Sequence, residues 1–198
     1  MKKLIFSALC LFSCLASLAT YAYAQDKTKP GDFNFYVLAM TDIPAFCDIT
    51  NNKDKNECPP HSTAFGLHGL WPQFSYNKYP QDCSNVKLTK EEIVKWQGIY
   101  PTPTLISHEW EKHGTCSGLT ADEYFEQSEK SIQKVIVPAE YQSLKTIPAT
   151  ETSNVLAAFV KANTGLPSDG IVIVKQKSLI SEIRICLTKD GAFRSCNG

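Results

Sequence analysis

The sequence predicts an α+β fold: a mainly antiparallel central sheet flanked by helices, in one disulfide-stapled domain. Three observations predict it. Runs of β-branched and aromatic residues near both ends read as strands, and the segments between them carry helix-capping signals. The two kinds of element do not alternate as regular βαβ units, which argues against a parallel sheet. Cysteines from Cys47 to Cys196 include no C-x-x-C pair, a pattern that suits disulfides rather than a zinc ribbon or a thioredoxin-like redox site.

The domain is preceded by an address label. Lys2 and Lys3 are followed by an apolar run from Leu4 to Ala19 and by Ala22-Tyr23-Ala24, an A-x-A site for signal peptidase. The run is interrupted by Ser and Cys and falls short of the ~20 apolar residues of a spanning helix. A signal peptide over 1-24 is therefore expected, with the mature chain, 25-198, periplasmic or secreted and not membrane-bound. Its length suits one domain. Losing the leader removes Cys10 and Cys14 and leaves six cysteines, Cys47, Cys58, Cys83, Cys116, Cys186 and Cys196. In an oxidising compartment these make three disulfides, with about fifteen connectivities open on arithmetic alone. Losing Lys2 and Lys3 also turns a balance of 20 basic and 20 acidic residues into a slight acidic excess. Such a chain does not hold a long nucleic acid by phosphate neutralisation alone, so any such ligand would be gripped locally.

The elements follow in order. Phe33 to Met40 is apolar on both alternating faces, as in a strand buried on two sides at the centre of a sheet. Thr41 to Ser62 has three prolines, two cysteines and no period, and reads as a long loop pinned by a disulfide. Ala64 to Trp71 is a second strand, whose Gly66 and Gly69 mark close approach of a ligand or another backbone. Thr89-Lys90-Glu91-Glu92 is a capping box that starts a short helix ending before Pro101, and Thr120-Ala121-Asp122-Glu123 starts a longer amphipathic one. A further helix runs from Ser153 to Asn163, with Gly165 ending it. Ile171 to Lys175 and Glu182 to Leu187 are strands rich in β-branched residues.

Two segments concentrate the chemistry. Three of the four histidines lie in Gly66-Leu67-His68-Gly69-Leu70-Trp71-Pro72 and in His108-Glu109-Trp110-Glu111-Lys112-His113-Gly114-Thr115-Cys116. On a helix, His108, Lys112, Glu109 and His113 fall at roughly 0°, 40°, 100° and 140° around the axis, so one face carries two imidazoles, a carboxyl and an ammonium. Gly114 stands where a helix C′ residue would sit. Trp110 reads as a core anchor, Glu111 as solvated, and His61 as an ordinary exposed residue. A zinc site is disfavoured: the histidines are five apart, not the four of H-E-x-x-H, and a lysine lies between them.

Two imidazoles, a lysine and a glutamate suit phosphoryl transfer without a metal or other cofactor. A neutral imidazole can take the proton of a ribose 2′-OH while an imidazolium protonates the departing 5′-oxygen. Lys112 would neutralise the charge that builds on phosphorus. Nothing replaces the 2′-OH as nucleophile, so DNA is expected to be inert.

GLHGLWP and HEWEKHGTC resemble the two active-site segments of the ribonuclease T2 family, in the family's order and about as far apart. FYVLAM and LISEIRICL extend the resemblance more weakly, over most of the mature chain. It implies an α+β fold, with RNA as the partner and no stable protein partner, in a monomer. It also implies transesterification to 2′,3′-cyclic phosphates, followed by slower hydrolysis to 3′-phosphates. By motif, His68 corresponds to the proton donor and His113 to the base, with Glu109 and Lys112 stabilising the transition state and His108 holding the phosphate. Trp71 corresponds to a stacking platform for the base on the 5′ side of the cut, with Tyr79 assisting. Some relatives carry an acidic side chain at the position of Gln73 that accepts from adenine; an amide both donates and accepts, so low base specificity is expected here. The family's pattern pairs Cys83 with Cys116, Cys186 with Cys196 and Cys47 with Cys58. The sequence departs from relatives that carry Gln near Ala39 or Met40 and a large aromatic at Leu105, both of which concern the base on the 3′ side.

Overall fold

A computed structural model describes residues 29–51, 58, 63–100 and 102–197; the expected leader and His61 lie outside these. The strands Phe35–Asp42 (β1), Phe65–Gln73 (β2), Ile171–Gln176 (β3) and Leu179–Leu187 (β4) form one sheet of order β2-β1-β4-β3. Every neighbouring pair is antiparallel, as the sequence predicts. β1 lies inside the sheet, and Leu38, Ala39 and Met40 are completely buried, which is why its sequence is apolar on both faces.

Helices Ile43–Ile49 (α1), Lys90–Trp96 (α2), Pro103–Lys112 (α3), Ala121–Lys134 (α4) and Thr152–Ala162 (α5) surround the sheet. The capping boxes of Thr89 with Glu92 and Thr120 with Glu123 are both formed and start α2 and α4. Thr102 caps α3 by accepting from the Leu105 N–H, and Pro103 follows in the first turn. One helix departs from the expectation. The segment after β1 begins not as a loop but as α1, because Asp42 accepts from the Ala45 N–H at 2.9 Å and Pro44 presets the first turn.

The core lies between one face of the sheet and the helices. Leu38, Met40, Leu70, Ile183 and Ile185 pack with Ile106, Trp110, Tyr124, Phe125 and Phe159. Burying each such side chain contributes about 1.5–3 kcal/mol before the entropy of ordering is counted. Trp110 is the anchor the sequence suggests: its ring is buried and its N–H donates to the Val86 carbonyl at 2.9 Å. Tyr124 ties α4 to β2 by donating to the Leu70 carbonyl.

Three disulfides brace this frame: Cys47–Cys58 between α1 and the segment that follows it, Cys83–Cys116 between the approach to α2 and the turn after α3, and Cys186–Cys196 at the end of β4. Cys83–Cys116 closes a loop of 33 residues that contains the whole second motif before Cys116.

Candidate active site

The site begins with an irregularity in β2. Ala39 pairs with Gly69 but Met40 pairs with Leu67, so His68 is an extra residue, a β-bulge. This changes the phase of the strand. Leu67 and Leu70 both join the helix-side core, although an unbroken period of two would set them on opposite faces. The same shift lets His68 and Trp71, three residues apart, meet edge to face with ring centroids 5.1 Å apart.

β4 supplies the next groups. Glu182 and Arg184 alternate with the core residues Ile183 and Ile185 and stand opposite Thr41 and Ala39 of β1. The Glu182 carboxylate accepts from Nδ1 of His68 at 2.6 Å and from Nε of Arg184 with its other oxygen. The Arg184 guanidinium lies 5.1 Å from the centre of the Trp71 ring. The motif reading missed Glu182 and Arg184. Their signal was a Glu and an Arg two residues apart in an otherwise apolar strand, which places two charges on one face of a buried sheet.

α3 brings the second motif over the first. Glu109 is 1% exposed, accepts from the Trp71 indole N–H at 2.7 Å and lies 4.0 Å from Nε2 of His68. Gly69 makes this approach possible, since a Cβ there would fall 2.0 Å from Oε2 of Glu109 and 2.3 Å from Nε1 of Trp71. His113 caps α3, with its ring 5.4 Å from that of Trp71 and 5.7 Å from that of Tyr79. Gly114 is not the left-handed residue expected after a helix. It opens a 3-10 turn, Gly114–Cys116, and its role is packing, because a Cβ would meet the Trp110 ring at 2.5 Å. Glu111 points away and pairs with Lys87.

Two cavities meet at this cluster. The smaller, about 230 Å³, is lined by His68, Trp71, Gln73, Tyr79, Glu109, Lys112 and His113 among others. The larger, about 710 Å³, lies on the other side of His68 and His108 and includes Thr41, Thr104, Leu105, Ser181 and Glu182. Every residue singled out as catalytic or base-binding thus reaches the smaller cavity. Gln73 is almost fully buried there, with its amide N–H on the Pro72 carbonyl, whereas Tyr79 is exposed at the rim. On the other side Thr41, not the buried Ala39 or Met40, faces the cavity that also contains Leu105.

The environment drives the titrating groups apart. Burial, reinforced by Lys112, His108 and His68, lowers the His113 pKa to about 3. Burial also opposes the charging of His68, but the hydrogen bond and negative charge of Glu182, aided by Glu109, outweigh it and raise its pKa above the usual 6.5. Glu109, buried first and then partly relieved by His68, Trp71 and Lys112, is raised to about 7. In mild acid these shifts favour a neutral His113 and a charged His68 across a single cavity, beside a Glu109 carboxyl that keeps its proton.

An antiparallel α+β frame that sets imidazoles, a lysine and carboxyls around one cleft defines a class of small acid–base enzymes. Comparison gives the family: the ribonuclease T2 family model matches residues 33–196, and the chain belongs to that family of endoribonucleases, whose substrate is RNA. A ribonuclease of Aeromonas hydrophila is 32% identical over 173 residues, covering 84% of this chain and 77% of its own length. The ribonuclease T2 protein rnst-2 of Caenorhabditis elegans is 28% identical, covering 95% and 75%. Among solved structures, the RNase-related protein from Calystegia sepium superposes with a TM-score of 0.64 at 18% identity, covering 84% of this chain and 91% of that one. RNase NT, solved with 5′-AMP, gives 0.58 at 22% identity, covering 83% and 91%. These two share the fold.

Proposed function

We propose that the chain is an exported endoribonuclease that cuts single-stranded RNA by attack of the ribose 2′-OH on the adjacent phosphorus, with no metal or other cofactor. The observation that carries this reading is the placement of two imidazoles, His68 and His113, with Lys112 and Glu109 around one cavity; their surroundings lower the pKa of His113 and raise that of His68, as a base and an acid require. Neutral His113 takes the 2′-OH proton as the O2′–P bond forms, and protonated His68 gives its proton to the 5′-oxygen as the P–O5′ bond breaks. The product is a 2′,3′-cyclic phosphate. The roles then reverse: His68 takes a proton from the attacking water, and His113 returns one to the 2′-oxygen, leaving a 3′-phosphate.

Lys112 and His108 border the same cavity and would hold the phosphate electrostatically. Glu109, protonated below about pH 7, can donate a hydrogen bond to a non-bridging oxygen. Trp71 and Tyr79 offer aromatic surface to the base on the 5′ side, where stacking is worth about 1–3 kcal/mol. Gln73, beside them, is read as a tolerant contact to the base edge. The disulfides suit an oxidising compartment, in keeping with export as a monomer that begins at Gln25. Among the described residues no helix is long and apolar enough to cross a membrane.

The test is incubation of the purified mature protein with RNA, with and without excess EDTA, followed by analysis of product ends. Cyclic phosphates that appear equally fast with chelator support the reading. Activity lost to EDTA and restored by zinc would overturn it.

A further inference from the structure

Glu182 and Arg184 belong to neither sequence motif, yet they occupy one wall of the site. A charge on a buried strand is costly unless it is paired, and here the pairing runs in one direction. Arg184 binds one oxygen of Glu182, which presents the other to Nδ1 of His68. Glu182 is only 7% exposed, and β1 and β3 flank its strand on either side. Its carboxylate therefore has little freedom to turn elsewhere. The Arg184 guanidinium is itself placed against the Trp71 ring and lines both cavities.

We propose that Glu182 is a positioning residue for the acid His68: it fixes the imidazole's orientation and tautomer so that Nε2 faces the scissile phosphate, and Arg184 anchors the Glu182 carboxylate. The inference rests on the reading of His68 as proton donor to the leaving group. With Nδ1–H committed to Glu182, the proton that moves is the one on Nε2. After it passes to the 5′-oxygen, neutral His68 keeps its Nδ1 proton, and its lone pair stands at Nε2. That lone pair accepts the proton of water in the second step. Without the carboxylate, the neutral ring is free to place its proton on Nε2, which blocks this step.

The groups facing His68 are Glu182 and Arg184 from β4, Glu109 from α3, and His113 across the cavity. Glu182 and Glu109 favour the imidazolium and Arg184 opposes it. Removing the Glu182 charge alone must therefore make His68 easier to deprotonate.

Glu182→Gln tests this, because it keeps the shape and a hydrogen-bond acceptor while removing the charge. Two readouts are taken on the full mature chain: the pH profile of kcat/KM on RNA, and the NMR titration of the His68 ring, which needs no RNA. The expected result is a fall of about one pH unit or more in both the alkaline limb and the His68 pKa. kcat should drop about tenfold or more, with KM changed by less than about threefold. Glu182→Asp, which restores the charge, should recover part of the alkaline shift. An alkaline limb and a His68 titration that both coincide with the native protein would overturn the proposal. If the native chain fails to cut RNA, the functional reading fails, while the titration still decides the Glu182–His68 pairing. If the variant does not fold, the ring nitrogen shifts of native His68 decide: a neutral ring protonated at Nδ1 supports the proposal, and one protonated at Nε2 refutes it.

Discussion

The indole N–H of Trp71 donates to the carboxyl of Glu109 across 2.7 Å, and the two side chains meet over the bare Cα of Gly69. The contact joins the two motifs. It also gives Trp71 two duties, since the ring that borders the smaller cavity holds the Glu109 carboxyl in place.

The first prediction follows from that contact. In Gly69→Ala the new methyl would meet the ends of two side chains, Oε2 of Glu109 and Nε1 of Trp71, not the backbone. The site should yield before the sheet does. The expected outcome is a loss of stability of about 1–3 kcal/mol in urea melts, with kcat/KM lowered by about tenfold or more. A variant with native activity would show that the Trp71–Glu109 contact is dispensable.

Each histidine should control one limb of the pH profile. As the proposed base, His113 works only when neutral, so activity should rise as pH climbs through its lowered pKa, about 3. As the proposed acid, His68 works only when charged, so activity should fall as pH passes its raised pKa. The kcat/KM profile is therefore a broad bell, wider than two unperturbed imidazoles would give. His68→Ala and His113→Ala should each lower kcat by at least about 10² without unfolding, and each should abolish its own limb. A flat native profile, or near-native turnover in either variant, would contradict these assignments.

Glu109 makes a further prediction about stability. Its folded pKa, about 7, lies above its ordinary 4.5, so over that interval the native state binds a proton that the unfolded state has released. This group's contribution is lost as pH rises through the window. His113 acts in the opposite sense, costing stability as pH falls from 6.5 towards 3. Glu109→Gln keeps an acceptor for Trp71 but cannot ionise. With the Glu109 loss removed and the His113 gain kept, its Tm should change more favourably with rising pH than that of the native protein between about pH 4.5 and 7, while kcat drops by about 10²–10³. Parallel Tm curves would mean that Glu109 does not bind the extra proton.

On the proposed reading, base choice rests on Gln73. Its amide both donates and accepts, and stacking is indifferent to base identity, so preferences among the four bases should stay below about tenfold. Gln73→Asp, which can only accept, should tilt cleavage towards adenine. The distribution of 3′-terminal nucleotides from random RNA at low conversion measures this, and one base far exceeding tenfold in the native protein would refute it.

Much of this was legible in the sequence because it is written in local terms. The capping boxes of Thr89 and Thr120, the apolar β1 and the two motifs each depend on residues close in the chain. α1 escaped because a helix of seven residues has too little period to register, and its cap, Asp42, sits at the end of a strand. Gly114 reads from sequence as a helix stop, but close packing against Trp110 requires it. The bulge at His68 is a pairing event between strands, and nothing in GLHGLWP announces it. Glu182 and Arg184 take their meaning from a histidine more than a hundred residues away, a contact created by the pairing of both β2 and β4 with β1.

The central claim is that the nucleophile is the substrate's own 2′-OH, activated by His113, while His68 protonates the departing 5′-oxygen. The most direct measurement uses an RNA oligonucleotide with one 2′-deoxy residue, incubated with the mature protein in excess EDTA. Cleavage is predicted at every accessible linkage except the one 3′ to the deoxy residue, with cyclic phosphate at the new ends. Cutting at the deoxy position would contradict the mechanism.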